Sequence, residues 1–314
     1  MTELTIGRKL AFGFGVPVAL MTLSSLFVSV RLFSLVDEAI PTTSACDELM
    51  IGINQSLAQL RGYTILGADA KKGAIFRQRR REAWLRIDSA VARLTEIQKN
   101  WSSDSEAQRS LDLIGSELKT LRNAQEEVEQ LAHSDENRPA FQLLTTQAAP
   151  LSETMLKALT AIIDEEGNLE AIPERKTLLN VLADSRGSLA ASIASSRAYL
   201  LSGNPSHRAD FTRLWKNNTI AFERVDGMKS FLTPTQNAAW DQYVTARTEF
   251  AAIPGELFRL RERSDWNRAN HVLASKAGPA SDLITKALLQ LKLAAVRQRD
   301  AAAFAVTSTI VSST

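Results

Sequence analysis

An all-α fold is predicted: a transmembrane helix followed by two antiparallel four-helix bundle modules, in tandem or nested order. Three observations predict it. First, the sequence repeats itself. Arg61-Gly62-Tyr63 with Gly67 recurs as Arg197-Ala198-Tyr199 with Gly203, 136 residues on, and Phe76 matches Phe211 at 135. Ser103-x-x-Glu106 matches Thr233-x-x-Gln236 at 130, as Ser134-Asp135-x-Asn137-Arg138 matches Ser264-Asp265-x-Asn267-Arg268. Pro150-x-Ser152-Glu153 with Lys157-Ala158-Leu159 matches Pro279-x-Ser281-Asp282 with Lys286-Ala287-Leu288 at 129. Matches that stay in order while the offset shrinks slowly mark two copies of one unit of about 130 residues. Second, the chain breaks into helix-periodic stretches of about 30 residues, separated by turn and capping chemistry. Third, no run alternates with period two for long enough to need a sheet.

Taken in order, Ala11 to Val30 carry no charge. A helix needs roughly 20 such residues to cross the hydrocarbon core. Arg8 and Lys9 precede the stretch, and Asp37 and Glu38 follow it. The positive-inside rule then makes residues 1–9 cytoplasmic, 10–33 the membrane helix, and residue 34 onward extracytoplasmic. Copy one reads as helices over 34–66, 70–100, 103–133 and 138–167. Copy two reads as 173–202, 205–232, 234–263 and 267–300. In tandem order these form modules 34–168 and 169–300. Ser103 with Glu106, and Thr233 with Gln236, are capping boxes. Pro234 suits a first helical position, and Gly67 and Gly203 suit left-handed helix ends. Phe76, Ala83, Ile87, Val91, Leu94, Ile97 and Trp101 make an apolar stripe that must be buried. Pro150 and Pro279 fall inside the fourth helices, where each removes a backbone bond and kinks the chain. Residues 301–314 carry no charge and read as the start of a second membrane helix.

Composition narrows function. A net charge of +2 gives no ground for nucleic acid as a partner. The single Cys46 excludes an internal disulfide framework and a cysteine metal site. His133, His207 and His271 are isolated from other metal ligands, and no nucleophile–base pair or phosphate loop is present. No catalytic residue, metal or cofactor is therefore expected.

The arginines offer different chemistry. Guanidinium is permanently charged and gives two parallel bonds to one carboxylate. Arg61 and Arg197 hold the same place in the two copies, beside Tyr63 and Tyr199. Arg186 precedes Arg197 by close to three helical turns, which puts both on one face with Ile193 between. Arg80 lies on the core stripe where the second copy has Trp215, which suggests an anionic partner. Arg61, Arg197, Arg80, Arg186, Tyr63 and Tyr199 are the candidate ligand-binding residues.

Several of these segments resemble a known family. Ile6-Gly7-Arg8-Lys9-Leu10-Ala11-Phe12-Gly13-Phe14-Gly15 looks like the opening of bacterial methyl-accepting chemotaxis receptors. Arg61 to Gly67 and Arg197 to Pro205 are similar to the first-helix ending of four-helix-bundle sensor domains. Two such units resemble the helical bimodular sensor region of those receptors. The resemblance implies two modules that share two long helices and each hold a small organic acid, which would require some of the turns above to be continuous helix. It implies a homodimer joined through its first helices, its main domain periplasmic, passing a helix displacement across the bacterial inner membrane. A histidine-kinase sensor, or a bundle docking a periplasmic binding protein, is the alternative.

Overall fold

The computed structural model describes residues 18–29, 40–99 and 106–313. Every regular element among them is helical. Helix α1 covers 18–29. Then come α2 (Ile40–Leu66), α3 (Ala70–Gln98), α4 (Glu106–Leu131), α5 (Pro139–Leu143), α6 (Ala149–Glu166), α7 (Pro173–Ser202), α8 (Pro205–Gly227), α9 (Pro234–Phe250), α10 (Ile253–Glu262), α11 (Arg268–Val272) and α12 (Gly278–Ser313). No described helix is long and apolar enough to cross a membrane. Half of the expected anchor over 10–33 lies outside the described residues, as do Ser103 and Trp101.

The chain forms two compact units. Unit 1 holds residues up to His133 and from Val272 onward; unit 2 runs from Ser134 to His271. These boundaries are not those of modules 34–168 and 169–300. Three helices of copy one, α2, α3 and α4, are joined in unit 1 by α12, the fourth helix of copy two. Unit 2 takes α7, α8 and α9–α10 from copy two and α5–α6, the fourth helix of copy one. One unit is therefore inserted within the other. No turn had to become continuous helix for this: the breaks at Ser134–Arg138 and Arg263–Asn267 both persist.

The duplicated sequence yields duplicated burial. At the offset of 136, Ala45, Cys46, Leu49, Ile53, Leu57, Leu60 and Tyr63 of α2 correspond to Val181, Leu182, Ser185, Leu189, Ile193, Ser196 and Tyr199 of α7, and all are buried. Ser56 and Ser192 match likewise, each hydroxyl donating to the carbonyl three residues back at 2.8 Å. The fourth helices agree at 129, with Met155, Ala158, Leu159 and Ile162 against Ile284, Ala287, Leu288 and Leu291.

The prolines inside the fourth helices act through register. A proline at position i clashes with the carbonyl at i−4 and donates no hydrogen bond. Here the preceding turn widens: Leu144–Ala148 and Leu273–Ala277 are π-helical. The Ala149 N–H donates to the Leu144 carbonyl, and the Gly278 N–H to that of Leu273, each five residues back. One inserted residue absorbs the clash while the helix continues, a known cause of local bending. Copy two carries a further break. Residues 251–252 interrupt the stretch expected as one helix over 234–263, because Pro254 cannot donate to Phe250. At this position α4 of copy one has no proline and is unbroken.

Caps follow the sequence in copy two. Thr233 and Gln236 form the capping box, with the Gln236 N–H donating to Thr233 Oγ1 at 3.1 Å and the Thr233 N–H to Gln236 Oε1 at 2.9 Å. Gly203 ends α7 in the left-handed region at φ 70°. Gly67 does not: Gly203 is the one described glycine with positive φ. Gly67 is needed for space instead, since a Cβ there would lie within 2.7 Å of the Tyr63 carbonyl and ring and of the His133 ring. The α3 start is capped by Asp69, which accepts from the Lys71 and Lys72 amides.

The α2–α4 side of unit 1 holds a buried polar triad. The Trp84 indole donates to Gln125 Oε1 at 3.0 Å, and Gln125 Nε2 donates to Ser56 Oγ at 2.9 Å. Gln125→Ala would orphan the indole N–H and open a cavity. It is expected to cost about 2–4 kcal/mol, read as a lower urea midpoint with an unchanged slope.

Candidate functional site

Three consecutive carboxylates, Asp164, Glu165 and Glu166, end α6. Anions at a helix C-terminus oppose the macrodipole, so each needs a reason to be there. Glu166 is buried and accepts from Arg175 Nη1 at 2.9 Å and Gln236 Nε2 at 2.8 Å. Glu165 accepts from the Thr233 hydroxyl at 2.5 Å. Together these bonds fasten the end of α6 to the starts of α7 and α9. Asp164 has no hydrogen-bonded or ionic partner for its carboxylate among the described residues.

From this end an open groove of about 800 Å³ runs between α6 and α7 of unit 2. Its apolar floor includes Leu156, Ile193, Ala190 and Ala194. Arg186 stands at the Asp164 end, where its Nε donates to Thr160 Oγ1 at 2.9 Å. That bond uses one donor and leaves both terminal nitrogens of the guanidinium available. Arg197 lies at the far end, exposed, near Ala149 and Ser152. Between them Lys157 and Glu153 form an ion pair at 2.6 Å, one turn apart on α6. The Lys157 ammonium holds the Glu153 carboxyl below its ordinary value, first through the hydrogen bond and then through its charge. This pair neutralises itself. Among the described residues, Arg186, Arg197 and Asp164 are the groove charges without an ionic partner.

The structure thus brings Arg186, Ile193 and Arg197 onto one face, as the spacing predicts. The two arginines are still about 16 Å apart along α7 at 1.5 Å per residue. The two guanidinium groups therefore stand at opposite ends of the groove.

The remaining candidates lie elsewhere. Arg61 is exposed on α2. Tyr63 is buried, edge-on to the His133 ring at 5.0 Å, with His133 Nε2 bonded to the Tyr63 carbonyl at 2.7 Å. Tyr199 is buried against Phe258, and its hydroxyl donates to Glu262 at 3.0 Å. Burial, and then the Glu262 contact, raise its pKa. Arg80 is nine-tenths buried in unit 1 and paired with Glu129, which leaves its Nε unbonded.

Sequence reasoning missed a half-buried cation, Arg247. Arg247 of α9 lies 4.6 Å from the ring centroids of both Trp215 and Phe222, within cation–π range. It donates to Asn218 Oδ1 at 3.2 Å and Thr219 Oγ1 at 2.8 Å. The signal was present: Arg247 follows Trp240 and Tyr243 on the buried stripe that ends at Phe250. It is the same sign of an arginine on a core face that marked Arg80.

The groove and bundles belong to a chain whose residues 3–168, more than half its length, match a family described as a four helix bundle sensory module for signal transduction. The chain belongs to this family. Neither a curated protein nor a solved structure matches it. The match ends where copy one ends, after α6. The sensory module is thus recognised as a sequence copy, although its fourth helix packs with helices of copy two. Within unit 1 the positions equivalent to the groove differ. Arg186 corresponds to Met50 at the offset of 136, and Thr160 and Asp164 to Leu289 and Leu293 at 129. Leu289 and Leu293 are exposed. Only unit 2 of this sensory module carries the polar set.

Proposed function

We propose that this chain is the extracytoplasmic ligand-sensing region of a membrane chemoreceptor, anchored near its N-terminus, and that it binds small anions of the carboxylate class in the α6–α7 groove of unit 2. The observation that carries the reading is the unbalanced charge of that groove. Among the described residues Arg186 and Arg197 have no carboxylate partner, whereas Arg80, on the core of unit 1, has one. A guanidinium held by one hydrogen bond, with two parallel donors left over, is prepared for a carboxylate. Its floor is apolar, with charged and hydroxyl side chains along it of the kind that fix a ligand's orientation in small-molecule sites.

Signal output in this reading is a helix displacement. Occupancy that favours one arrangement of α6 against α7 shifts the population toward it, and displacements of about 1–2 Å are the usual scale. A homodimer through α2 fits the exposed face of that helix. Ile51, Ala58 and Ile65 recur every seven residues there, and Ile51 and Ile65 are exposed, the pattern of a helix–helix seam.

The test is a thermal-shift screen of residues 34–300 against organic acids and other small anions. A ligand at a hundred times its dissociation constant should add about 2.7 kcal/mol. Arg186→Gln is expected to weaken the ligand found by about 10- to 100-fold, the value of a hydrogen bond to a charged group. A screen in which no anion moves the transition would count against direct sensing. A ligand whose affinity survives both Arg186→Gln and Arg197→Gln would remove the groove as its site.

A further inference from the structure

Both fourth helices meet their proline with a π-helical turn, yet the two turns are built differently. We infer that the turn Leu273–Ala277, before α12, is a compliant joint at which α12 moves along its axis, whereas its twin Leu144–Ala148, before α6, is held fixed. The inference rests on the helix-displacement output proposed above and not on the groove or its ligand. At a π turn an amide can exchange an acceptor five residues back for one four residues back while the helix stays bonded, and such turns recur at functional sites. One residue's rise is about 1.5 Å, within the usual scale of allosteric helix shifts. Pro279 resists closure of the turn into regular α-helix, because its ring would meet the Ser275 carbonyl four residues back.

Three observations carry it. The first is bracing by side chains. In copy one, Thr145 Oγ1 donates to the Phe141 carbonyl at 3.0 Å, with the Gln142 carbonyl as second acceptor at 3.1 Å, and Thr146 Oγ1 donates to the Gln142 carbonyl at 2.8 Å. Threonine reaches the preceding turn of a helix in this way, so these hydroxyls tie the π turn to the residues before it. At the offset of 129 Thr145 becomes Ala274, which has no hydroxyl, and Thr146 becomes Ser275, which keeps one. The second is the residue whose amide closes the turn, Ala149 in copy one and Gly278 in copy two. Glycine has the wider backbone freedom and weakens a helix relative to alanine. Space does not demand it: a Cβ on Gly278 would stand 3.3 Å from the Leu273 carbonyl, a close fit that Ala149 meets in the twin turn.

The third is what holds the rest of each helix. Glu165 and Glu166 fasten α6 to Thr233, Arg175 and Gln236. Their counterparts on α12 are Ala294 and Ala295, which offer no such bonds. The joint and α12 are tied to α4 and α2 by ion pairs open to solvent, Lys276 with Glu127 and Lys292 with Asp47, each at 2.6 Å. Exposed pairs of this kind contribute little, and the apolar packing beside them is non-directional.

The experiment is hydrogen–deuterium exchange of the full chain, read by mass spectrometry on peptides covering 273–283 and 144–154. After correction for intrinsic rates, the amides of 273–283 are expected to exchange at least about fivefold faster than those of 144–154, the factor that one glycine in place of alanine is worth in a helix. Moving the braces into the joint, with Ala274→Thr and Gly278→Ala, should slow 273–283 by about that factor and leave 144–154 unchanged. The reverse pair, Thr145→Ala with Ala149→Gly, should speed 144–154 and leave 273–283 unchanged. Ala274 and Thr145 are exposed, so both variants are expected to keep the native helical content by circular dichroism, and either one decides the matter if the other does not fold. Equal protection of the two turns in the native chain, or a braced variant whose 273–283 amides exchange as before, overturns the joint. Neither readout uses a ligand, so a failed joint leaves the sensing reading standing, and an anion screen without a hit leaves this measurement untouched.

Discussion

A chain cut to residues 134–271 is expected to melt in one cooperative transition, whereas one cut to 169–300 is expected to lose about 2–6 kcal/mol relative to it, or to show no sharp transition. The first fragment contains all four helices of unit 2. The second keeps α7, α8 and α9–α10 but exchanges α6 for α12. The two fourth helices present nearly the same apolar stripe, so hydrophobic burial alone does not separate them. What separates them is Glu166, which corresponds to Ala295 at the offset of 129. Without Glu166, Arg175 loses its carboxylate and the Gln236 amide, buried in the core, loses an acceptor. Each orphaned group costs about 1–3 kcal/mol, more when charged. Urea titration of both fragments, followed by circular dichroism, decides the matter. Equal stability would mean that the nested pairing is not the preferred one.

Glu129→Ala is expected to destabilise the whole chain by about 3–5 kcal/mol, because it leaves the nine-tenths-buried Arg80 guanidinium without a counter-charge. The loss should be far larger than that from an exposed pair such as Lys99–Glu96. The second copy shows what the position tolerates. Buried residues of α4 and α9–α10 align at 129: Leu111, Ile114, Leu121 and Val128 against Trp240, Tyr243, Phe250 and Leu257. In that register Glu129 becomes Phe258, as Arg80 becomes Trp215 at 135. The ion pair of one unit is an aromatic cluster in the other, where Phe211 packs on both Trp215 and Phe258. Replacing both charges, as in Arg80→Leu with Glu129→Leu, should therefore recover much of what Glu129→Ala loses, since apolar residues of similar volume often substitute for a buried pair. The two roles for Arg80 make different predictions. A structural arginine predicts that anions leave the Glu129→Ala variant as unstable as before. A ligand-binding arginine predicts that an organic acid restores its stability.

Much of this molecule follows from local signals. The helix breaks, the Thr233–Gln236 cap and the shared face of Arg186, Ile193 and Arg197 depend on residues within a few helical turns, and the repeat on matching the chain against itself, so all of them read directly from the chain. Prolines within helices also announce themselves, although the π-helical turns that accommodate them become visible only once the backbone closes its bonds. Arg80 was legible as a core arginine, but its partner Glu129 was not. Glu129 is 49 residues away on another helix, and helical periodicity carries no information about which faces meet.

The sequence by itself determined that this protein is helical, duplicated, and studded with arginines at equivalent places. Tertiary structure alone decided that each bundle borrows its fourth helix from the other copy, and that Arg186 of α7 meets Thr160 and Asp164 of α6 in one groove. The reason is physical. A stripe such as Ala158, Leu159 and Ile162 fixes which side of a helix is buried, and Ala287, Leu288 and Leu291 present the same side. When two helices offer interchangeable faces, the choice between them rests on a few long-range polar bonds, here those of Glu166, which exist only when the helices have met.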